Sequence, residues 1–105
     1  MGRFFFTGGL MPSDDLVLHF QQQLCLADHW VLDGTHYART ARQWLVNQDR
    51  HRQALLPLLA QTYGSNRAAR LWWQRWRIFW MACEELWGYR KGCEWGVSHY
   101  LLRPR

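Results

Sequence analysis

Residues 24–32, LCLADHWVL, constrain the fold of this chain more than any other segment. They are apolar at odd and even positions alike, with Asp28 and His29 as the exceptions. This pattern is typical of a strand covered on both faces. The other predicted strand, residues 94–102, instead alternates Trp, Val, His and Leu with mostly smaller or polar side chains. Because two strands alone make a marginal sheet in water, the segment indicates a piece of a larger sheet.

Between the two strands the sequence predicts long helices. The first covers residues 36–63, with Thr35 as its cap. Pro57 lies inside this pattern and predicts a kink or break just before it, because proline lacks the amide donor and crowds the preceding turn. Gly64 and Ser65 then indicate a helix end followed by a new cap.

The second long helix is predicted over residues 66–87, where apolar side chains recur at spacings of three and four. Such spacing places them on one helical stripe, which predicts a core or a domain interface. The stripe consists of Trp72, Trp76, Phe79, Trp80, Cys83, Leu86 and Trp87.

A shorter helix is expected near the start of the chain. Ser13 is expected to cap it, and Asp14 and Asp15 would place negative charge in its first turn, where the helix dipole favours it. The predicted order is therefore helix, strand, long kinked helix, helix, strand. This order predicts an α/β fragment that is mostly helical when taken alone.

The charge of the chain gives little indication of a nucleic-acid partner. The net charge is +5, but the arginines are scattered among acidic residues on the helical segments. A solvated helix face explains this distribution, and we expect no nucleic-acid partner. No apolar run reaches the 18–20 or so residues that span a bilayer, and the N-terminus lacks a secretory signal pattern, so a cytoplasmic location is expected.

The three cysteines, Cys25, Cys83 and Cys93, are odd in number and widely spaced. No CxxC pair occurs, and the five histidines show no spacing typical of metal ligands. We therefore expect free thiols and no metal site.

Three long segments resemble one enzyme family, in the same order along the chain. They are FFFTGGLMPSDDLVLHFQ, HWVLDGTHYARTARQWLVNQDRHR and RWRIFWMACEELWGYRKGCEWGVSHYLL. The family comprises the cyclopropane-fatty-acyl-phospholipid synthases and the coclaurine N-methyltransferases, which use S-adenosylmethionine. The resemblance implies that residues 1–105 are the C-terminal portion of a Rossmann-like methyltransferase domain, with its last two strands and the helices between them.

The resemblance also implies what this chain lacks. Family members hold S-adenosylmethionine with a Gly-rich loop after the first strand and an acidic residue after the second. Gly8 and Gly9 begin no such loop, and the family's Glu-His segment is missing too. No cofactor-binding residue is therefore assigned, and the donor-binding half is expected as a partner. Met1 resembles an internal methionine of full-length members, which makes a truncated frame one interpretation.

Tyr37 is the candidate catalytic residue. It matches the tyrosine that lines the active site in the cyclopropane synthases, where it helps to hold a bicarbonate base. A phenol at a helix N-terminus could hydrogen-bond an anion or orient an acceptor. The alternative is a tyrosine that packs the start of the helix.

Four further residues are candidates for acceptor binding: His36, Glu85, Trp95 and His99. His36 could move protons near neutral pH, or could cap the helix at the surface. Glu85 matches an acidic residue of the family and could contact an acceptor amine, or could pair with Arg77 or Arg90. Trp95 and His99 match the family's closing strand, where simple packing is the alternative.

Two functions of different class follow. In the first, the chain contributes acceptor-pocket elements to a methyltransferase that transfers a methyl or methylene group to a lipid acyl chain or an amine, with peripheral membrane contact. In the second, it is a non-catalytic fragment or basic interaction module that touches anionic lipid or nucleic acid. A neighbouring frame encoding the Gly-rich loop would favour the first.

Overall fold

The computed structural model describes residues 2–105, which divide into two compact units, residues 2–32 with 97–105 and residues 33–96. Three helices dominate, and two strands complete the regular structure. In chain order the elements are a 3₁₀ helix (Leu16–His19), β1 (Leu24–Asp33), α1 (Gly34–Arg50), α2 (Arg52–Tyr63), α3 (Asn66–Gly88), a second 3₁₀ helix (Tyr89–Gly92) and β2 (Gly96–Pro104).

The first unit contains the two-stranded sheet formed by β1 and β2. His29 stacks on Tyr100 and Trp30 stacks on His99, so residue numbers rise on one strand as they fall on the other, as in an antiparallel pair. Both predicted strands are confirmed, although β2 begins two residues later than expected and continues through Pro104. Trp30 and Val31 of β1 remain 45% and 54% exposed. The second strand alone therefore leaves much of β1 uncovered.

The helix predicted to begin at Ser13 is wrong. The structure has only the four-residue 3₁₀ helix Leu16–His19 there, preceded by Asp15, whose side chain makes no capping bond. The apolar face of this segment is short and ends at three glutamines, Gln21 to Gln23. So short a face cannot offset the cost of nucleating a helix.

The second unit begins with α1, whose cap is Asp33 rather than the predicted Thr35. The Asp33 carboxylate accepts a hydrogen bond from the Thr35 backbone N–H at 2.9 Å and another from the Thr35 hydroxyl. These two bonds lower the pKa of Asp33 below its usual value, and the bond from the Thr35 hydroxyl has the larger effect. The helix therefore starts at Gly34, two residues before the predicted start.

The break in the long helix lies at His51, not just before Pro57. His51 leaves the helical conformation, with φ −98° and ψ 21°, and its ring nitrogen Nδ1 lies 2.8 Å from the Asn47 carbonyl oxygen. Pro57 stays inside α2. The break lets α1 and α2 each pack on α3, so tertiary packing decides where the chain bends.

The other helix boundaries agree with the sequence. Gly64 adopts a left-handed conformation, with φ 89°, and ends α2. The Ser65 hydroxyl then accepts a hydrogen bond from the Ala68 N–H at 3.0 Å and caps α3. Small side chains are among the most buried of the helices: Ala41 of α1 is 0% exposed and Ala69 of α3 is 1% exposed.

The apolar stripe of α3 is confirmed in part. The most buried tryptophan of α3 is Trp73, at 4% exposure, although the predicted stripe omits it. Leu86 belongs to the predicted stripe but is exposed. Trp72 stacks on Tyr63 of α2 with ring centroids 4.2 Å apart. Two faces of α3 are therefore covered, one by α1 and one by α2.

Across residues 2–105, the helices are all too short or too polar to span a bilayer.

Candidate functional site

Tyr37 lies in the first turn of α1 and is half-buried against α3. Its ring centroid is 4.8 Å from that of Trp87 and 6.0 Å from that of Trp44, which it meets edge to face. Close packing of Gly34 explains this position, since a Cβ at Gly34 would stand 2.1 Å from the Trp87 carbonyl oxygen. Within residues 2–105 the Tyr37 side chain makes ring contacts and its hydroxyl has no hydrogen-bond partner.

From Tyr37 a row of aromatic rings continues along the contact between α1 and α3. Trp44 lies 5.1 Å from Trp80, and Trp80 lies 5.4 Å from Trp76, with which it stacks. Phe79 packs edge to face on both Trp76 and Trp80. Offset and edge-to-face pairs of this kind fix ring orientation beyond what buried area alone provides.

Trp44, Trp76 and Trp80 of this row form part of the wall of a cavity of about 540 Å³ between α1, α2 and α3. Aromatic and aliphatic side chains form nearly all of its wall, with three polar exceptions. The lining residues are Trp44, Asn47, Gln48, Leu55, Leu59, Thr62, Tyr63, Trp73, Trp76 and Trp80. An apolar wall with a few polar groups is typical of a site for a small organic molecule.

Gln48 is the buried polar residue of this wall, at 9% exposure. Its amide Nε2 donates to the Trp73 backbone carbonyl at 3.0 Å, and its Oε1 accepts from the Trp80 indole N–H at 2.8 Å. The sequence reasoning missed Gln48. The signal was present, because Gln48 lies seven residues after the buried Ala41 and therefore on the same face of α1.

His36 and Glu85 are both exposed. Of the two alternatives for Glu85, the structure does not form the pairing with Arg77 or Arg90, and contact with an acceptor amine stays a prediction. Across the part of the chain that the structure describes, Glu85 forms no ion pair, since Arg77 binds Asp49 through two hydrogen bonds of 2.8 and 3.1 Å and Arg90 binds Glu94. Its neighbour Glu84 instead pairs with Arg42 at 2.6 Å.

Trp95 and His99 fall in different units. Trp95 is half-buried, and its carbonyl oxygen would lie 2.5 Å from a Cβ at Gly34, so its backbone packs against the start of α1. His99 belongs to β2 and stacks on Trp30, with ring centroids 5.2 Å apart. Both residues make packing contacts within the chain, and contact of either side chain with an acceptor stays a prediction.

The first unit holds a polar cluster that the sequence reasoning also missed. The Asp14 carboxylate accepts a hydrogen bond from the Ser98 hydroxyl and lies 3.1 Å from His29 Nε2. The Tyr100 hydroxyl donates to the Asp14 backbone carbonyl at 2.6 Å. The Ser98 hydroxyl, followed by His29, lowers the pKa of Asp14. Asp14 was expected in a helix; it instead ties the N-terminal segment to the sheet.

The glycines of residues 2–105 can be compared with the backbone approach that a nucleotide-type methyl donor needs. Such a donor needs glycines at which backbone approaches a ligand. At Gly34 and Gly92, the space that a Cβ would occupy is already filled by other atoms of this chain. At Gly8 and Gly9, a built Cβ has no atom within 4 Å. Among residues 2–105 there is also no group of three or more potential metal-ligating side chains.

Comparison with known proteins gives relatives of one kind, although no protein-family model matches. The (S)-coclaurine N-methyltransferases of Papaver somniferum and Thalictrum flavum subsp. glaucum are 30% and 32% identical over 95 and 97 residues, which are 90% and 91% of this chain. The pavine N-methyltransferase of the latter organism is 28% identical over 96 residues. In each case the match covers 27% of the relative, so the chain spans about a quarter of its length.

A solved structure agrees with these relatives. The crystal structure of a coclaurine N-methyltransferase bound to N-methylheliamine and S-adenosylhomocysteine (SAH) superposes with a TM-score of 0.76 at 33% identity, covering 88% of this chain and 27% of that one. The relatives support the N-methyltransferase part of the expected resemblance and give no support to the cyclopropane-synthase part, to a lipid acceptor or to membrane contact. The chain is thus homologous over most of its length to S-adenosylmethionine-dependent N-methyltransferases, and it has the fold of their C-terminal helices and last two strands.

Proposed function

We propose that this chain forms the acceptor-binding part of an S-adenosylmethionine-dependent N-methyltransferase whose acceptor is a small, ring-containing amine. The observation that carries the proposal is the aromatic cavity between α1, α2 and α3. It lies in a segment homologous to enzymes named for the methylation of coclaurine and pavine.

The chemistry of the cavity suits an amine that gains a methyl group. Flat rings stack on indole and phenol faces, and an amine that becomes methylated carries a positive charge that such faces attract. Trp44, Trp76 and Trp80 offer these faces at the wall. A long acyl chain would gain only apolar contact there, so the lining favours a compact cyclic amine.

The methyl donor must bind elsewhere. S-adenosylmethionine supplies an electrophilic methyl group on a sulfonium, and the sequence holds no Gly-rich loop of the kind that binds such a donor. We therefore propose that a donor-binding half, either a separate partner or further sequence of a longer chain, completes the enzyme. The present residues would then orient the acceptor and exclude water, which are large contributions to such a transfer.

Tyr37 does not line the cavity, but its ring contacts Trp44, which does. We propose that the Tyr37 hydroxyl meets the reacting amine of an acceptor that extends past Trp44. Its ring is held by Trp87 and Trp44, and its hydroxyl is left without a partner in the described chain. A hydroxyl held in this way can accept or donate one hydrogen bond to an acceptor without moving its ring. His36 and Glu85, both exposed, remain candidates for contact with the acceptor or with the other half.

A chimera tests the proposal. The matching quarter of a coclaurine N-methyltransferase is replaced by this chain, and methylation of coclaurine and pavine by S-adenosylmethionine is measured. We expect SAH to form in an amine-dependent reaction. Trp76→Ala, which opens the cavity wall, should weaken the amine dependence, whereas Ile78→Ala, an exposed position of the same helix, should not.

A folded chimera that binds SAH but methylates no amine would contradict the proposal. That result would favour the non-catalytic interaction module instead.

A further inference from the structure

We infer that Gln48 is the positioning and specificity residue of the aromatic cavity: it fixes the Trp80 ring and recognises an oxygen substituent on the ring-containing amine. The inference rests on the proposed function for its ligand class. The positioning role does not depend on the proposed function, because it follows from the hydrogen bonds of Gln48 alone.

The positioning role follows from two hydrogen bonds. Gln48 reaches from α1 to α3 and holds the Trp73 backbone carbonyl with one end of its amide and the Trp80 indole N–H with the other. Trp80 in turn contacts Trp44, Trp76 and Phe79. One buried amide therefore sets the orientation of the central ring of the row, and the other rings follow from it.

The specificity role follows from the hydrogen-bonding capacity that remains. A glutamine amide has two N–H donors and two acceptor lone pairs, and Gln48 uses one donor and one lone pair in the two bonds described. The second N–H is left in a residue that lines the cavity. A buried donor gains most from a ligand that carries an acceptor, such as a phenol or methoxy oxygen.

The other polar residues of the wall are less suited to this role. The Thr62 hydroxyl already donates to the Leu58 carbonyl at 2.9 Å, and Asn47 is exposed. Among the amide and hydroxyl side chains Asn47, Gln48 and Thr62 of the wall, Gln48 is thus the one that combines burial with an unused donor.

The test of positioning uses the full chain without ligand. Tryptophan indole N–H signals are recorded by ¹H–¹⁵N NMR, and the Trp80 signal is assigned by its loss in Trp80→Phe. In Gln48→Met, which keeps length and apolar volume, we expect the Trp80 signal to shift and its hydrogen exchange to accelerate. In the matched control Gln43→Met, at an exposed position of α1, it should stay in place. An unmoved Trp80 signal in Gln48→Met overturns the positioning role.

The test of specificity uses two amines that differ only in oxygen substituents: 2-methyl-1,2,3,4-tetrahydroisoquinoline and its 6,7-dimethoxy derivative. Binding is followed by tryptophan fluorescence. The wild-type chain and Gln43→Met should prefer the dimethoxy amine about fivefold, as one added hydrogen bond implies. Gln48→Met should bind both equally, and Trp80→Phe should retain part of the preference, since it keeps the Gln48 amide.

The outcomes separate the two proposals. If the wild-type chain binds neither amine, the proposed function fails, and the specificity role fails with it. If the wild-type chain binds both amines but Gln48→Met keeps the same preference, the inference about specificity fails while the proposed function stands. If Gln48→Met does not fold, the Trp80→Phe variant tests the specificity role, because it keeps the Gln48 amide. If Trp80→Phe loses the preference for the dimethoxy amine completely, recognition by the Gln48 amide itself is overturned.

Discussion

Gly34 is where the structure leaves least room, and replacing it with alanine gives the sharpest stability prediction. A Cβ at Gly34 would lie 2.1 Å from the Trp87 carbonyl oxygen and 2.5 Å from the Trp95 carbonyl oxygen. Both are backbone atoms, so no side-chain rotation relieves the overlap. Because Gly34 starts α1, alanine would otherwise gain up to about 1 kcal/mol in helix propensity.

Overpacking against backbone costs about 1–3 kcal/mol, and two contacts this short place Gly34→Ala at the upper end of that range. After the propensity gain is subtracted, we expect a loss of about 2 kcal/mol in the free energy of unfolding. For a chain of this size that lowers Tm by about 8–16 °C. The contact of Tyr37 with Trp87 should loosen too, because Gly34 holds the start of α1 against Trp87.

The assay is thermal and urea unfolding followed by circular dichroism, with Gly9→Ala as the matched control. Gly9 has no atom within 4 Å of a built Cβ, so its replacement should leave Tm nearly unchanged. Equal Tm values for the two variants would refute the assignment of close backbone packing at Gly34.

Three further predictions concern the site, the donor and pH. In the chimera, Tyr37→Phe keeps the ring contacts and removes the hydroxyl, so turnover should fall about tenfold or more while SAH affinity holds; unchanged turnover would reduce Tyr37 to packing. The chain alone should give no saturable heat on titration with S-adenosylmethionine, and a stoichiometric signal would contradict the proposed missing half. The lowered pKa of Asp14 adds stability above its unfolded value near 3.8 that is lost as pH falls through the lower folded pKa. The difference in free energy of unfolding between wild type and Ser98→Ala should therefore be largest at neutral pH and should disappear as the pH falls below about 3.8. A difference that does not change with pH would exclude this linkage.

The sequence predicted the elements whose signals are local. The Gly64–Ser65 pair marks a helix end and a cap by itself, because the left-handed conformation of glycine and the capping hydroxyl act within a few residues. The strand at residues 24–32 was evident because its residues, apart from Asp28 and His29, are apolar at odd and even positions alike, and the stripe of α3 was evident from its spacing. Where two local signals competed, prediction failed: Asp33 rather than Thr35 caps α1, and both residue types are good caps.

The candidate site shows the same division. Tyr37 became a candidate because the chain resembles known enzymes over long motifs, and its role stays a prediction. Gln48 was missed because a single glutamine carries no local signal for burial. One alternative for Glu85, an ion pair with Arg77, does not form in the structure for a related reason. Partners within one helix can be predicted from spacing, but Asp49 on another helix captures Arg77.

By itself, the sequence determined the two strands and the long helical segments between them, though not the segment after Ser13, where it predicted a helix that the structure does not form. It also determined the absence of a donor-binding glycine loop and the likeness to N-methyltransferases. Only the tertiary structure decided where the long helix breaks, which tryptophan is buried and which polar side chain faces the cavity. The reason is physical: secondary structure follows from periodicity and caps within about four residues. The break at His51 and the Gln48–Trp80 bond instead join positions brought together only when α1, α2 and α3 pack on one another.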